Sequence, residues 1–178
     1  MVDTEFLVIA ITSQDSVPDE AEKISCLLRN GDADFVHIRK PLWHEEEVAQ
    51  LLDRIPSELH PRLKLHDHFR LLDSYALGGV HLNSRNPVAP VNANSISRSF
   101  HSIEQLPLSK HYDYVTLSPV YDSISKSGYK SRFSLQELKP FLSGLRVIAL
   151  GGVTPDKFPE LKEAGFAGAA MLGHFFGG

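Results

Sequence analysis

The strongest constraint on the fold is an alternation. Eight short apolar runs recur along the chain, most of them separated by segments with helical spacing. The runs are Glu5 to Thr12, Phe35 to Arg39, Arg62 to Asp67, Gly79 to Asn83, Ile96 to His101, Tyr112 to Val120, Arg146 to Leu150 and Ala167 to Leu172. Between them, Pro18 to Arg29 places Ile24, Leu27 and Leu28 on one side, and Glu45 to Ile55 does the same with Val48, Leu51, Leu52 and Ile55 after an acidic first turn. A short helical segment follows the third run, a turn or two spans Ser102 to Leu106, and a helix is expected over Ser134 to Leu142. Thr154-Pro155-Asp156 reads as a helix start with Thr as N-cap, and that helix stops at Gly165. Strands joined by long crossovers pair in parallel. Eight of them predict an α/β chain folded as a compact (β/α)8 TIM barrel, one domain over residues 1–178; an open doubly wound sheet would use fewer strands.

Two places break the alternation. Arg85 to Asn94 holds two prolines and three asparagines, so a loop stands where the fourth crossover helix belongs, and no final helix follows the eighth strand. These losses account for much of the difference between 178 residues and the roughly 250 of a typical barrel. A barrel without its last helix leaves the first and eighth strands uncovered. The expectation is a homodimer that buries this face, or a chain that continues past Gly178. Asp122 to Arg132 reads as a long polar loop.

The formal net charge of -4 lacks the basic excess that nucleic acid or an anionic membrane demands, so neither is an expected partner. No run approaches the ~18 apolar residues of a membrane span, and no basic leader precedes the first strand. Cys26 is the only cysteine, which rules out an intrachain disulfide. A cytoplasmic location is expected.

Barrel active sites form at the C-terminal ends of the strands, and there the polar residues collect. Four of the nine histidines, His37, His66, His81 and His101, fall at consecutive strand ends. Strand alternation puts His37 and Arg39 on one face, and His81 and Asn83 on another shared face. His44, His60 and His111 are expected to face solvent. Zinc is disfavoured, because no short His/Cys ligand spacing occurs. Gly151-Gly152 after the seventh strand and Gly173 after the eighth suit backbone contact with a phosphate; a tight turn explains the glycine pair without a ligand, but its place in the last two loops of a barrel favours phosphate. Arg39 and Lys126 are placed to neutralise a diphosphate, with Asp67 placed to hold a divalent cation.

Six segments together resemble the thiamine-phosphate synthase and TenI superfamily: FVHIRKP (35–41), HDH (66–68), GGVHLNSRN (78–86), SRSFHSIEQL (97–106), DYVTLSPVYDSISK (113–126) and VIALGGVTPDKFPELKEAGFAGAAML (147–172). The resemblance implies a (β/α) barrel and, in the synthase, magnesium-assisted coupling of hydroxymethylpyrimidine diphosphate to hydroxyethylthiazole phosphate. It implies that Arg39 and Lys126 contact the diphosphate, that His66 occupies the position of a diphosphate-binding Asn, and that Asp67 is a magnesium ligand. Ser123 and Ser125 fall where the synthase has threonines near the thiazole and its phosphate, and Gly151, Gly152 and Gly173 fall in the thiazole-phosphate loops.

Departures matter as much. The Gln-x-Arg-Glu-Lys pattern becomes His37-Ile38-Arg39-Lys40-Pro41, with Lys40 on the other strand face. The second metal carboxylate falls on Asn86, a weaker oxygen ligand, and a phosphate-loop serine is Gly173. TenI relatives imply a second activity, tautomerisation of a thiazole carboxylate phosphate. Their catalytic histidine is Pro119 here, which would leave His37 or His66 as the base. A non-catalytic thiazole-phosphate-binding or regulatory protein is the third reading.

Overall fold

The computed structural model describes residues 5–122 and 133–177. Its eight strands are β1 (Leu7–Ile11), β2 (Phe35–Ile38), β3 (Leu63–Leu65), β4 (Gly79–Leu82), β5 (Ile96–Phe100), β6 (Tyr114–Leu117), β7 (Val147–Leu150) and β8 (Gly168–Met171). Each pairs in parallel with the next, and β8 returns to β1 in the register Leu7 to Gly168. The result is the closed barrel that the alternation predicts. The strands are shorter than the apolar runs, because Arg39, His66, Asp67, Asn83 and His101 lie just beyond their ends.

The crossovers follow their local chemistry. α1 (Glu20–Asn30) turns Ile24 and Leu28 inward and ends at Gly31, whose φ of 77° is a left-handed value that glycine tolerates. α2 (Glu45–Asp53) begins at His44, whose backbone N–H donates to the Glu47 carboxylate at 2.7 Å, and stops before Pro56. Ser134 caps α3 (Leu135–Leu142) by accepting from the Glu137 N–H at 3.2 Å. A 3-10 turn at Pro155–Lys157 leads into α4 (Phe158–Ala164), which ends at Gly165. Thr154 precedes that turn as expected, but its hydroxyl donates to the Asp156 carboxylate and caps no backbone N–H. The turn expected at Ser102 to Leu106 extends as a 3-10 helix over Ile103–His111.

No helix joins β4 to β5, as the proline and asparagine content predicts. After β8 the chain makes one turn, α5 (Gly173–Phe176), where none was expected. That turn has a packing role. The apolar layer outside the barrel forms two clusters, one under α1 and α2, the other under α3 and α4. Phe176 is buried in the first, and Phe175 packs against both.

Inside the barrel, Ile9, Ile11, Ile148 and Ala170 line one side. The opposite side is polar: His37, Lys64, His81, Ser97 and Thr116 are all buried.

Candidate active site

Three imidazoles meet inside the barrel because β2, β3 and β4 direct alternate residues inward. Val36 and Ile38 pack under the helices, so His37 between them faces the axis. The Nδ1 of His37 lies 2.8 Å from the Nε2 of His66, and its Nε2 lies 2.6 Å from the Tyr114 hydroxyl. His81 stacks on His66 with ring centroids 4.4 Å apart, and its two nitrogens lie 2.8 Å from the hydroxyls of Ser97 and Ser99. Burial is the main force that holds all three histidines below their ordinary pKa, His81 down to about 3, with further lowering by neighbouring cations. The rings are therefore neutral at physiological pH. Their ligand atoms lie within 4.8 Å of one another, although both nitrogens of His37 and of His81 already have hydrogen-bond partners.

Below them, Lys64 is buried with its ammonium 4.3 Å from the Tyr114 ring centroid and 3.4 Å from the Ser97 hydroxyl. Burial lowers its pKa to about 8.

At the C-terminal end of the barrel, a cavity of about 410 Å³ is lined by Arg39, His66, Asn83, Arg85, Arg98 and His101, with Ile11, Leu150 and Leu172 as its apolar wall. A larger cavity, about 730 Å³, lies beside residues 142–146 and Lys162, before β7 and β8 begin. Barrel chemistry belongs to the C-terminal end, and the smaller cavity is the one where cations and imidazoles converge. Thr12 positions Arg39 by accepting from its backbone N–H at 2.9 Å. Among the described residues nothing hydrogen-bonds the Arg39 guanidinium. Burial, then the nearby Arg85, lower its pKa, while Asp67 opposes them.

A second cluster borders this cavity. Asn83 shapes the turn after β4: its side-chain Oδ1 accepts from the backbone N–H of Arg85 at 3.1 Å and of Asn86 at 3.2 Å. The turn brings both residues onto Asp67. The Asp67 Oδ1 accepts from Arg85 Nε at 3.3 Å, Arg85 Nη2 at 3.2 Å and Asn86 Nδ2 at 3.1 Å, while Oδ2 accepts from the Lys40 N–H at 3.2 Å.

The magnesium ligands implied by resemblance, Asp67 and Asn86, thus meet, but the donor set does not fit a hard divalent cation. Such an ion needs oxygen ligands and is repelled by an adjacent guanidinium. Asn86 presents nitrogen, and its orientation is fixed, since Nδ2 donates to both Asp67 Oδ1 and the His66 carbonyl, and neither can donate in return.

With this geometry in hand, the relatives are informative. The profile of the family described as thiamine monophosphate synthase (TMP-TENI) matches residues 8–175. The chain belongs to this family. Among TMP-TENI relatives of known structure, the thiamine phosphate pyrophosphorylase from Bacteroides thetaiotaomicron superposes with a TM-score of 0.83 at 36% identity, over 94% of this chain and 83% of that one. A second pyrophosphorylase, from Pyrococcus furiosus, shares the fold at 18% identity with a TM-score of 0.77, covering 98% of this chain and 89% of its own. A putative thiamine-phosphate synthase from Geobacter sulfurreducens is 26% identical over 71% of this chain, and the match spans 64% of that relative, a little under two thirds of its length.

Set against the TMP-TENI expectations, the structure joins His37 to His66, puts Arg39 and His66 in one cavity, and brings Asn86 onto Asp67. Ser123, Ser125 and Lys126 lie outside the described residues. Gly151 and Gly152 have φ values of 97° and 63°, and a Cβ on Gly152 would come within 2.1 Å of the Asp122 carbonyl oxygen, so the tight turn by itself requires them. Gly173 opens α5. Lys40 turns away from the mouth as expected and pairs with Glu20 at 2.7 Å. His44 and His111 are exposed, but His60 is not: it is buried, its Nε2 donating to the carbonyls of Leu52 and Ile55 at 3.1 and 3.0 Å. His60 caps carbonyls left over at the end of α2, which its place between helix and strand did not disclose. Three other participants, Lys64, Tyr114 and Arg85, escaped sequence reasoning. Alternation across Leu63-Lys64-Leu65 and Tyr114-Val115-Thr116 marks Lys64 and Tyr114 as inward. Asn83 followed by Arg85 and Asn86 has the form of an Asx turn.

Proposed function

We propose that this protein couples hydroxymethylpyrimidine diphosphate to hydroxyethylthiazole phosphate, giving thiamine phosphate and diphosphate. The C–O bond to diphosphate breaks, the thiazole nitrogen forms the new C–N bond, and charge grows on the departing oxygens. A fixed cation beside those oxygens lowers the barrier. The observation that carries this reading is Arg39, a half-buried guanidinium at the barrel mouth with no hydrogen-bond partner among the described residues. His66, beside it, is a neutral ring that can donate to an anion without adding charge. In this reading the loops of Gly151, Gly152 and Gly173 take the thiazole phosphate, with Ser123 and Ser125 beside it and Lys126 as a second diphosphate contact. A cytoplasmic homodimer completes the proposal.

Incubating the pure protein with both substrates is expected to yield thiamine phosphate. No product above a boiled control, with or without magnesium, rejects coupling. In that case a melting temperature raised by thiazole phosphate would mark a binding protein.

One observation favours the tautomerase as a second reading. His66, His37 and Tyr114 form a hydrogen-bonded chain from the mouth into the barrel, able to accept a proton at one end and pass it inward. Under this reading, His37→Asn and His66→Asn both abolish conversion of the thiazole carboxylate phosphate to its aromatic isomer. Conversion that survives both substitutions excludes these bases.

A further inference from the structure

The contacts around Asp67 carry an inference that rests on the diphosphate reading above and changes how that group is held. We propose that the Arg85 guanidinium stands in for a divalent cation, so that Arg39 and Arg85 together bind a diphosphate group without metal.

Asp67 is the carboxylate from which a metal would be hung, and Arg85 occupies it with two N–H groups, on Nε and Nη2. Neither contact uses Nη1, which leaves donors for a second anion while the Asp67 edge holds the plane of the group. The position is built. Asn83 folds the turn that presents Arg85, and Asn86, where a second carboxylate would favour a metal, is a neutral amide committed to Asp67. Replacing a metal-ligating carboxylate by an amide removes the need for a divalent ion, and the adjacent guanidinium supplies the missing positive charge.

The second half of the clamp is Arg39. It lines the same cavity as Arg85, whose nearby charge is one of the causes, after burial, that lower the Arg39 pKa. Two cations facing one cavity, only one of them paired among the described residues, repel until an anion comes between them. A diphosphate carries two phosphoryl groups, one for each guanidinium, and guanidinium forks match phosphate oxygens in geometry. Arg98, the third arginine of the cavity, lies 3.2 Å from the Tyr112 hydroxyl and does not share this arrangement.

The test is calorimetric titration of the intact protein with inorganic pyrophosphate, once in EDTA and once with magnesium. Binding is expected in EDTA with no loss of affinity relative to magnesium. Arg85→Gln, checked for native circular dichroism, is expected to weaken the EDTA value roughly 10- to 100-fold, the loss of a charge-assisted contact. The paired change Arg85→Ser with Asn86→Asp rebuilds a two-carboxylate site and is expected to make binding require magnesium. Wild-type binding that falls at least about tenfold in EDTA, or EDTA binding that Arg85→Gln leaves unchanged, overturns the substitution of arginine for metal and leaves coupling standing. Absence of pyrophosphate binding in both buffers overturns the diphosphate reading and the clamp with it.

Discussion

The three interior histidines make stability depend on acidity. His37, His66 and His81 are neutral in the folded barrel and hydrogen-bonded as neutral rings, whereas in the unfolded chain they take up protons near pH 6.5. Their folded pKa values are depressed, so the unfolded state binds more protons as the pH falls below 6.5. The stability they allow is fully present above that value and is lost progressively toward pH 3, where His81 protonates in place. Urea unfolding followed from pH 7 to pH 4 is expected to show a steep fall. In His81→Asn, the fall is expected to be shallower by about one proton's worth of slope. Lys64 adds a second window. Its folded pKa of about 8 lies under the ordinary 10.5, so stability rises between those values as the buried ammonium gives up its proton.

At the scale of elements, a buried ion pair ties α1 to the end of β2. The Lys40 ammonium lies 2.7 Å from the Glu20 carboxylate, 2.8 Å from the Asp15 carbonyl oxygen and 4.3 Å from the Trp43 ring centroid. Both side chains are almost fully buried. Removing one partner strands the other charge in a dry site, so Lys40→Ala is expected to cost ~3–5 kcal/mol in denaturant unfolding. The paired Lys40→Met and Glu20→Leu change is expected to recover most of that loss, since two apolar groups leave no charge to satisfy. A paired variant as unstable as Lys40→Ala would show that the geometry of the pair, not burial of an unpaired charge, sets the cost. The strand period shows that Lys40 faces away from His37 and Arg39. That its partner is Glu20, at the start of a helix, depends on how α1 lies across the barrel.

For the whole molecule, α5 changes the expected picture of an uncovered seam. Its single turn lays Phe175 between the two apolar clusters and buries Phe176 against the first, so part of the face beside β1 is covered from within the chain. Phe176→Ala is expected to destabilise the barrel by ~3 kcal/mol, the low end for an aromatic truncation, since a single helical turn can relax around the space left. Equilibrium urea unfolding measures this directly. Light scattering, run on the same samples, tests the proposed homodimer by its mass.

What local chemistry writes into a chain, this sequence determined by itself. The apolar periods marked eight strands and their crossovers, prolines and asparagines removed the fourth helix, and two-residue alternation aimed His37 at the barrel axis. Motif order identified Arg39, His66 and Asp67 as neighbours at the mouth. Only the tertiary structure decided which side chains meet across strands. The contact of His37 with Tyr114 spans 77 residues of sequence and exists because barrel closure brings β2 to face β6, while that of Arg85 with Asp67 spans 18 and follows from the register of β3 on β4. The same closure turned a run of scattered histidines into one neutral, hydrogen-bonded stack, and that register set a guanidinium on the carboxylate where sequence resemblance implied a metal. Period reports the face a residue occupies. It cannot report the partner that face will find, because that depends on long-range registers no local pattern encodes.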